Sequence, residues 1–388
     1  MKKKSFLSQP TSAYYLLTGS TAALTGLGMV MVLSASSIHS LEVNGSSFAI
    51  VLRQFIFLIA AVMVGFLASR LPLQVWKVLA RFSLLGSILI LGILQVPGIG
   101  NVVNGNRNWI AIGPIVFQPS EFAKFFIILW AAWMLGKEER AGQVGTNVAR
   151  LLLPGFAVIM ILVMAGNDLG NAAIFAGILI GLLFVSGIHL RILGVMSVIA
   201  IGTVGALVVT APNRLRRLLA VLHPFSPEFY KLSGWQPAHS IMGLASGGIF
   251  GVGLGASRQK WGYLAEAHTD FIFSVIGEEL GLIGTLGVLG LFAALILAIF
   301  RIAIRAAEPM VRYTCAGIGC WISIQVILNI GSATSVLPVV GVTLPLLSYG
   351  GSSLISIYLA LGFVVGAALR DPALVIARKS RMNRRSQK

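Results

Sequence analysis

The chain has 388 residues, of which 57% are hydrophobic and only 11% are charged, and its formal net charge is +17. This composition excludes a soluble domain with a single anchor and predicts a polytopic membrane protein, because each span needs about 20 mostly apolar residues. Basic residues that border apolar helices are explained first by membrane orientation and anionic headgroups, so binding of nucleic acid is not expected.

Apolar segments predict an all-α protein with ten transmembrane helices. A single ten-helix domain is expected at 13–370, between a tail at 1–12 and a basic tail at 371–388. The first apolar segment is long and lacks a clear cleavage site, which favours an uncleaved span over a signal peptide. The predicted spans lie near residues 13–33, 48–69, 75–94, 121–136, 150–167, 170–187, 191–211, 271–300, 311–332 and 349–369.

The distribution of lysine and arginine predicts the orientation of these spans. Basic residues occur in both tails and in alternate connections, whereas the connections near 34–47, 166–170 and 333–348 contain none. The positive-inside rule therefore places both termini in the cytoplasm. The long loop at 212–270 then lies outside, and long loops cross the membrane largely regardless of their charge.

A polar segment precedes the predicted fourth span. It reads Asn106-Arg107-Asn-Trp109 and, further on, Gln118-Pro-Ser-Glu121-Phe-Ala-Lys124. Pro119 and Ser120 are typical of a helix start, which places Glu121 in the first turn and Lys124 on the same face. Two interpretations stay open here. Glu121 is either a capping carboxylate paired with lysine or part of a polar pair that faces a cavity between helices.

The outward loop at 212–270 is basic and rich in glycine. Its cations include Arg214, Arg216 and Arg217. They form either an ordinary solvated surface or a surface for a negatively charged lipid head, especially a diphosphate. The glycine-rich run Ser246–Gly255 follows no strand, so a dinucleotide-binding loop is excluded and close packing of a re-entrant segment is favoured.

The loop ends in the polar sequence Glu266-Ala-His268-Thr-Asp270, immediately before the eighth span. Charge near hydrocarbon is costly and marks function, so this segment is the candidate site of chemistry. The alternative for Asp270 is an N-terminal cap of the eighth span. Other polar residues near the outer side, namely Asp168, Gln325, Asn329 and the run Leu344–Ser353, are more typical of structural contacts between helices than of a binding site.

Together these segments resemble the signatures of the SEDS family (shape, elongation, division and sporulation). The resemblance extends over nearly the whole chain, and the run Gly251–Lys260 is closer to the division members than to the elongation members. It implies ten transmembrane helices and polymerisation of lipid II into glycan strands outside the cytoplasmic membrane, at the division septum. One departure is the sequence Asn167-Asp-Leu-Gly-Asn171, where the family usually has Pro-Asp-Leu-Gly-Thr, and it leaves the role of Asp168 open.

The resemblance also implies roles for individual residues. Asp270 matches the essential aspartate and is our candidate base. Arg107 and Lys124 are the expected diphosphate contacts, with Glu121 orienting Lys124. The remaining expected substrate-binding residues are Glu266, His268, Ser348, Ser352, Arg214, Arg216 and Arg217.

Expected partners are lipid II, a membrane-anchored class B penicillin-binding transpeptidase and other division proteins. A divalent cation, Mg²⁺ or Mn²⁺, could join carboxylates to a diphosphate, although no ligand spacing indicates one. Two alternatives to the enzyme remain, a transporter of lipid-linked precursors and a non-catalytic scaffold. The outward position of the acidic residues argues against a transporter, since substrate sites of many transporters lie near the midplane.

Overall fold

The apolar segments of the sequence form helices in a computed structural model, which describes residues 11–96, 98–103, 106–113, 115–142, 148–209, 212–372, 374 and 376. The all-α class is thereby confirmed. The helices before the long loop are α1 Ser12–Asn44, α2 Ala49–Arg70, α3 Leu73–Gly92, α4 Pro119–Arg140, α5 Val148–Ala165, α6 Leu169–Val185 and α7 Leu190–Val209. The remaining helices are α8 Pro212–Leu222, α9 Pro227–Tyr230, α10 Trp235–Ser246, α11 Ile272–Arg305, α12 Pro309–Ala333 and α13 Gly351–Leu369.

Within the described residues, seven helices are long and apolar enough to cross a membrane, namely α1, α2, α3 with the 3-10 turn that follows it, α5, α11, α12 and α13. Helix α6 and the first part of α7 are shorter apolar helices. Helix α4 carries charged residues at both ends, including Glu121, Lys124 and Arg140. The total of ten spans stays a prediction.

Glycine allows a close backbone contact between α2 and α13. A side chain at Gly362 would place its Cβ 2.3 Å from the carbonyl oxygen of Gly65. Because apolar surface is not expelled from lipid as it is from water, association of membrane helices depends on such close backbone packing. This contact holds the second half of α13 beside α2.

A small antiparallel sheet lies between α3 and α4, where only a connection was predicted from the sequence. Its strands are β1 Gly100–Val103, β2 Asn106–Ile112 and β3 Ile115–Phe117, in the order β1-β2-β3. The backbone N–H of Arg107 donates to the carbonyl of Gly166, which joins the sheet to the link between α5 and α6. The pair Asn104-Gly105 between two short segments is a recognised hairpin signal in the sequence.

Helix α11 is broken at Gly281, which corrects the prediction of one continuous span at 271–300. Gly281 has φ 67° and ψ −162°, a conformation that only glycine adopts readily. Backbone groups near the break pair with the glycine-rich segment 248–253, and each N–H donates to a carbonyl across the contact: Val252 to Glu278, Gly253 to Glu279, Leu282 to Gly248 and Ile283 to Ile249.

These bonds replace those that the broken helix lacks, as irregular backbone at membrane depth requires. The predicted close packing of the glycine-rich segment is therefore confirmed.

Helix α1 also differs from its prediction, because it continues to Asn44 instead of ending near residue 33. Its polar residues after 33 indicated a loop, but Ser34 and Ser40 have partners inside the protein. The Ser34 hydroxyl donates to the carboxylate of Glu279 at 2.6 Å, and the Ser40 hydroxyl donates to the carbonyl of Ser46 at 2.6 Å. Because these contacts satisfy the hydroxyls of Ser34 and Ser40, the helix continues through a sequence that hydropathy assigns to a connection.

Candidate functional site

A cavity of about 470 Å³ lies where several helices begin. This volume is within the range of ligand sites in proteins. The cavity is lined by Arg53 and Phe57 of α2, by Asn106, Asn108, Trp109, Val116 and Gln118 of the sheet region, by Glu121, Asp168 and Asn171, by Glu266 and His268–Asp270, and by Val340–Thr343 and Tyr349–Ser353.

Five residues predicted from the sequence line this cavity: Glu121, Glu266, His268, Asp270 and Ser352. Three others, Arg107, Lys124 and Ser348, are not among its lining residues. Arg216 and Arg217 are exposed on α8 and do not line the cavity either, whereas the side chain of Arg214 lies outside the described residues.

Asp270 is half-buried at the wall of the cavity, just before α11. Its carboxylate lies beside Gly341, where a Cβ would be 3.6 Å from Oδ2. The cap of α11 is Phe271, and no side chain caps that helix, so the alternative role of Asp270 as a helix cap is wrong. Burial, with a smaller contribution from the negative charge of Glu266, raises the pKa of Asp270 to about 7.

The segment that carries Asp270 is held by contacts from two other parts of the chain. The hydroxyl of Ser348 donates to the carbonyl of Thr269 at 2.5 Å, and the backbone N–H of Tyr349 donates to the carbonyl of His268 at 2.9 Å. From α12, the amide of Asn329 donates to the carbonyl of Asp270 at 2.8 Å. Ser348 therefore positions the segment that carries Asp270, whereas a role in substrate binding was predicted for it from the sequence.

Glu121 and Lys124 form a buried ion pair in the first turns of α4, which begins at Pro119 as predicted. Lys124 Nζ is 2.5 Å from Glu121 Oε1 and 3.4 Å from Gln325 Oε1. Lys124 is 0% exposed and Glu121 is 4% exposed. Of the pair, Glu121 lines the cavity and Lys124 does not, so Lys124 orients Glu121 instead of facing the cavity itself.

We expect Lys124→Met to destabilise the folded protein by about 3–5 kcal/mol, because it leaves the buried carboxylate of Glu121 without its cation. Thermal and denaturant unfolding of the purified protein in detergent measures the change. The matched control is Glu121→Gln combined with Lys124→Met, which removes both charges and is expected to recover much of that stability. A double variant as unstable as Lys124→Met would contradict the ion-pair explanation.

Asp168 accepts three hydrogen bonds at the start of α6. Its Oδ1 accepts from the backbone N–H of Asn171 at 2.9 Å, and its Oδ2 accepts from the side-chain amides of Asn108 at 2.7 Å and Asn171 at 2.6 Å. Burial raises the pKa of the Asp168 carboxyl, and the hydrogen bonds from Asn171 oppose this shift. Asp168 thus caps α6 and joins it to the sheet, in addition to lining the cavity.

Three further cavity residues were not among those predicted from the sequence, namely Arg53, Asn108 and Asn171. The position of Arg53 in the sequence could have indicated a functional role, because an arginine in the first turns of an apolar span is uncommon unless it has a function. Asn108 and Asn171 had no comparable signal, since asparagine is common in loops and at helix starts.

Comparison with known proteins identifies the family. The family model FTSW_RODA_SPOVE, described as "Cell cycle protein", matches residues 15–371. The chain belongs to the FtsW/RodA/SpoVE family. This confirms the resemblance seen in the sequence and, with the apolar helices, identifies an integral membrane protein.

Relatives within this family span nearly the whole chain. A probable peptidoglycan glycosyltransferase FtsW of Coxiella burnetii is 39% identical, with 95% of this chain and 99% of the relative covered. Stage V sporulation protein E of Bacillus subtilis is 34% identical, with 93% of this chain and 98% of the relative covered.

Solved structures of the family share the fold. A chain from a structure described as "Structural coordination of polymerization and crosslinking by a peptidoglycan synthase complex" has 28% identity and a TM-score of 0.72, covering 92% of this chain and 97% of that chain. The rod shape determining protein RodA of Thermus thermophilus has 28% identity and a TM-score of 0.68, with the same shares covered.

A metal site formed by side chains alone is not found in the described part of the chain, where no three His, Cys, Asp or Glu residues are grouped to hold an ion. The carboxylates of the cavity could contribute to one only together with substrate phosphates, as is usual for Mg²⁺. The expectation of Mg²⁺ or Mn²⁺ remains a prediction.

Proposed function

We propose that this chain is a peptidoglycan glycosyltransferase that polymerises lipid II into glycan strands during cell division. The observation that carries the proposal is the half-buried carboxylate of Asp270 on the wall of a polar cavity. This carboxylate does not cap α11. It occurs in a chain whose relatives are named as probable peptidoglycan glycosyltransferases.

In the proposed reaction, the hydroxyl oxygen of one lipid-linked disaccharide attacks the anomeric carbon of a sugar held on polyprenyl diphosphate. The new carbon–oxygen bond forms as the bond to the diphosphate oxygen breaks, and the hydroxyl proton passes to Asp270. Attack from the face opposite the leaving group inverts the α anomer to β. The leaving diphosphate carries its own negative charge and needs no strong proton donor.

Asp270 suits the role of base, because a general base works best with a pKa near the operating pH. Its pKa of about 7 results chiefly from burial. A hydroxyl that binds in the cavity beside Gly341 would lie next to the Asp270 carboxylate.

The diphosphate requires cations, and among the described residues that line the cavity Arg53 is the only arginine or lysine. Arginine recognises phosphate oxygens through paired N–H groups, and a cation placed in advance stabilises the developing charge of the leaving group. The buried ion pair of Lys124 with Glu121 favours Arg53 over Lys124 for this task. The contributions of Arg107, Arg214, Arg216 and Arg217 to substrate binding stay predictions.

The test uses purified protein and labelled lipid II in detergent, without vesicles. We expect long glycan strands and released undecaprenyl diphosphate. A transporter of lipid-linked precursors would move lipid II in vesicles and form no polymer in detergent. Lack of polymer would contradict the proposal, provided that the assay is repeated with a co-purified class B penicillin-binding transpeptidase, our proposed partner.

The proposal predicts that polymerisation falls as the pH drops through about 7, because protonated Asp270 cannot accept the hydroxyl proton. Since the negative charge of Glu266 contributes to the raised pKa of Asp270, Glu266→Gln is expected to move the acidic limb of the rate profile to lower pH. Initial rates of lipid II polymerisation between pH 5 and 9 measure both effects.

The control for this profile is His268→Asn. His268 lines the same cavity, and burial lowers its pKa. The imidazole of His268 is therefore expected to titrate at a lower pH than the carboxyl group of Asp270. A change in the maximal rate of this variant is compatible with the proposal, but the pH at the midpoint of the acidic limb is expected to be the same as in wild type. A limb that disappears in His268→Asn would assign the titration to histidine.

The proposed topology places the cavity on the outer side of the membrane. Helices α2, α4 and α11 end in basic residues at the opposite side, as the positive-inside rule requires of cytoplasmic ends. A cysteine introduced at exposed Leu222 would then react with a membrane-impermeant maleimide in intact cells.

A further inference from the structure

A buried glutamine lies beside the cavity without facing it. Gln54 on α2 is 3% exposed and is not among the lining residues, whereas its neighbour in the sequence, Arg53, lines the cavity. A polar side chain inside an apolar helix is costly unless it is paired, so the partners of Gln54 indicate what it does.

The side-chain amide of Gln54 binds the backbone just before α13 at two points. Its Nε2 donates to the carbonyl of Ser348 at 3.3 Å, and its Oε1 accepts from the backbone N–H of Gly350 at 3.2 Å. One turn further along α2, the ring of Phe57 lies against Gly351, where a Cβ would be 2.6 Å from the ring. The start of α13 is therefore held to the first turns of α2.

Ser348 continues this link to the segment that carries the candidate base. Its carbonyl accepts from Gln54, and its hydroxyl donates to the carbonyl of Thr269 at 2.5 Å. In the sequence, Gln54 directly follows Arg53, and Thr269 directly precedes Asp270. One residue, with one hydrogen bond on each side, thus joins the neighbour of the cation to the neighbour of the base.

We propose that Gln54 is a positioning residue that fixes the separation between Asp270 and Arg53. This inference rests on the proposed function, in which Asp270 accepts the hydroxyl proton and Arg53 stabilises the leaving diphosphate. Base and cation act on opposite sides of the same anomeric carbon, so the reaction needs both in place at once. A misplacement of about 1 Å can lower a rate about 10²-fold, even when the change lies away from the reacting atoms.

The alternative is that Gln54 is an ordinary contact between membrane helices, as buried amides often are. Such a contact could lie anywhere along α2 and α13, but Gln54 binds the one short segment that also holds the base. Two hydrogen bonds from Gln54 reach Ser348 and Gly350, and two more join Ser348 to Thr269 and the N–H of Tyr349 to the carbonyl of residue 268. Displacement of α2 would therefore displace the segment of the base.

The test measures single-turnover polymerisation of lipid II by purified full-length protein in detergent, with Gln54→Met as the variant. Methionine has a similar length but neither the donor nor the acceptor. Because Asn329 still holds the carbonyl of Asp270 from α12, the base is expected to move and not to be released. We expect the rate to fall about 10- to 100-fold. Affinity for undecaprenyl diphosphate, the probe for Arg53, is expected to stay within about twofold of wild type.

The control is Thr25→Val, which removes a different buried contact to α13. The hydroxyl of Thr25 is hydrogen-bonded to that of Tyr358 at 2.9 Å, and neither residue lines the cavity. Unfolding curves are recorded for both variants. Thr25→Val is expected to be destabilised but to polymerise lipid II within about twofold of the wild-type rate. If it were as slow as Gln54→Met, the rate would depend on the general packing of α13, and the inference would be wrong.

Ser348→Ala tests the same link from its other end, and it keeps the test decisive if Gln54→Met does not fold. It is expected to lower the rate and to leave affinity for undecaprenyl diphosphate unchanged. Two changes in one link are not additive, so the combined variant is expected to be within about threefold of the slower single variant. Losses that multiply would show that Gln54 and Ser348 act independently.

The remaining outcomes separate this inference from the proposed function. A folded Gln54→Met protein with the wild-type rate would overturn the positioning role alone. So would a variant in which the rate and the affinity for undecaprenyl diphosphate fall together, because Arg53 itself would then be displaced. A wild-type protein that forms no polymer would overturn the proposed function and this inference together.

Discussion

Replacing Asp270 by asparagine is expected to lower the rate of lipid II polymerisation by about 10²- to 10⁴-fold, the usual contribution of positioned proton transfer. Asparagine keeps the shape of the side chain and removes its basicity. The fold is expected to survive, because no side chain caps α11 and the Asp270 contact to Asn329 uses the backbone carbonyl. Single-turnover polymerisation by purified protein, with unfolding curves recorded in parallel, measures both quantities.

The matched control is Glu266→Gln, which removes a neighbouring carboxylate that also lines the cavity. Because Glu266 is exposed and acts on the pKa of Asp270 only from a neighbouring position, this variant is expected to keep polymerising at high pH. Full activity of Asp270→Asn would refute the role of Asp270 as base. Equal loss in both variants would indicate that the site needs negative charge in general.

Replacing Gly281 by alanine is expected to prevent folding or to destabilise the protein by at least about 3 kcal/mol. Gly281 has φ 67°, and a Cβ there would lie 2.3 Å from the backbone nitrogen of Gly251. Alanine would therefore separate the glycine-rich segment from the break in α11 and expose backbone groups at membrane depth. The yield of monodisperse protein in detergent and its unfolding midpoint measure the effect.

Gly287 provides a control on the same helix, since a Cβ at that position would meet nothing within 4 Å. Alanine is the better helix former, so Gly287→Ala is expected to leave stability unchanged or to raise it by up to about 1 kcal/mol. A Gly281→Ala protein that unfolds with the same midpoint as Gly287→Ala would show that the break at Gly281 does not depend on glycine.

Much of the fold could be predicted because the membrane restricts spanning structure to hydrogen-bonded helices, which makes a long apolar run informative by itself. Most predicted spans therefore agree with observed helices within a few residues. The start of α4 at Pro119 followed from local backbone preferences, which need no tertiary contact. The predictions were wrong for the end of α1 and for the continuity of α11, where distant partners satisfy groups that look unfavourable in the sequence.

The site shows the same division. The motif around Asp270 was evident, since acidic residues are rare at the edge of an apolar span. The orientation of Lys124 could not be predicted, because the sequence places it one helical turn after Glu121 but does not show whether it faces the cavity or the protein interior. Arg53, Asn108 and Asn171 reach the cavity from three different elements, so their association depends on how those elements pack.

The sequence by itself determined the class of protein, the helical segments, the family and the acid just before the predicted eighth span. These properties follow from local composition and from motifs whose residues are close along the chain. The tertiary structure decided which polar groups face the cavity, which are consumed by internal pairs, and where α11 breaks. Those outcomes depend on burial and on hydrogen bonds between segments that are far apart in the chain, because the partner that satisfies a buried polar group cannot be read from its neighbours in sequence.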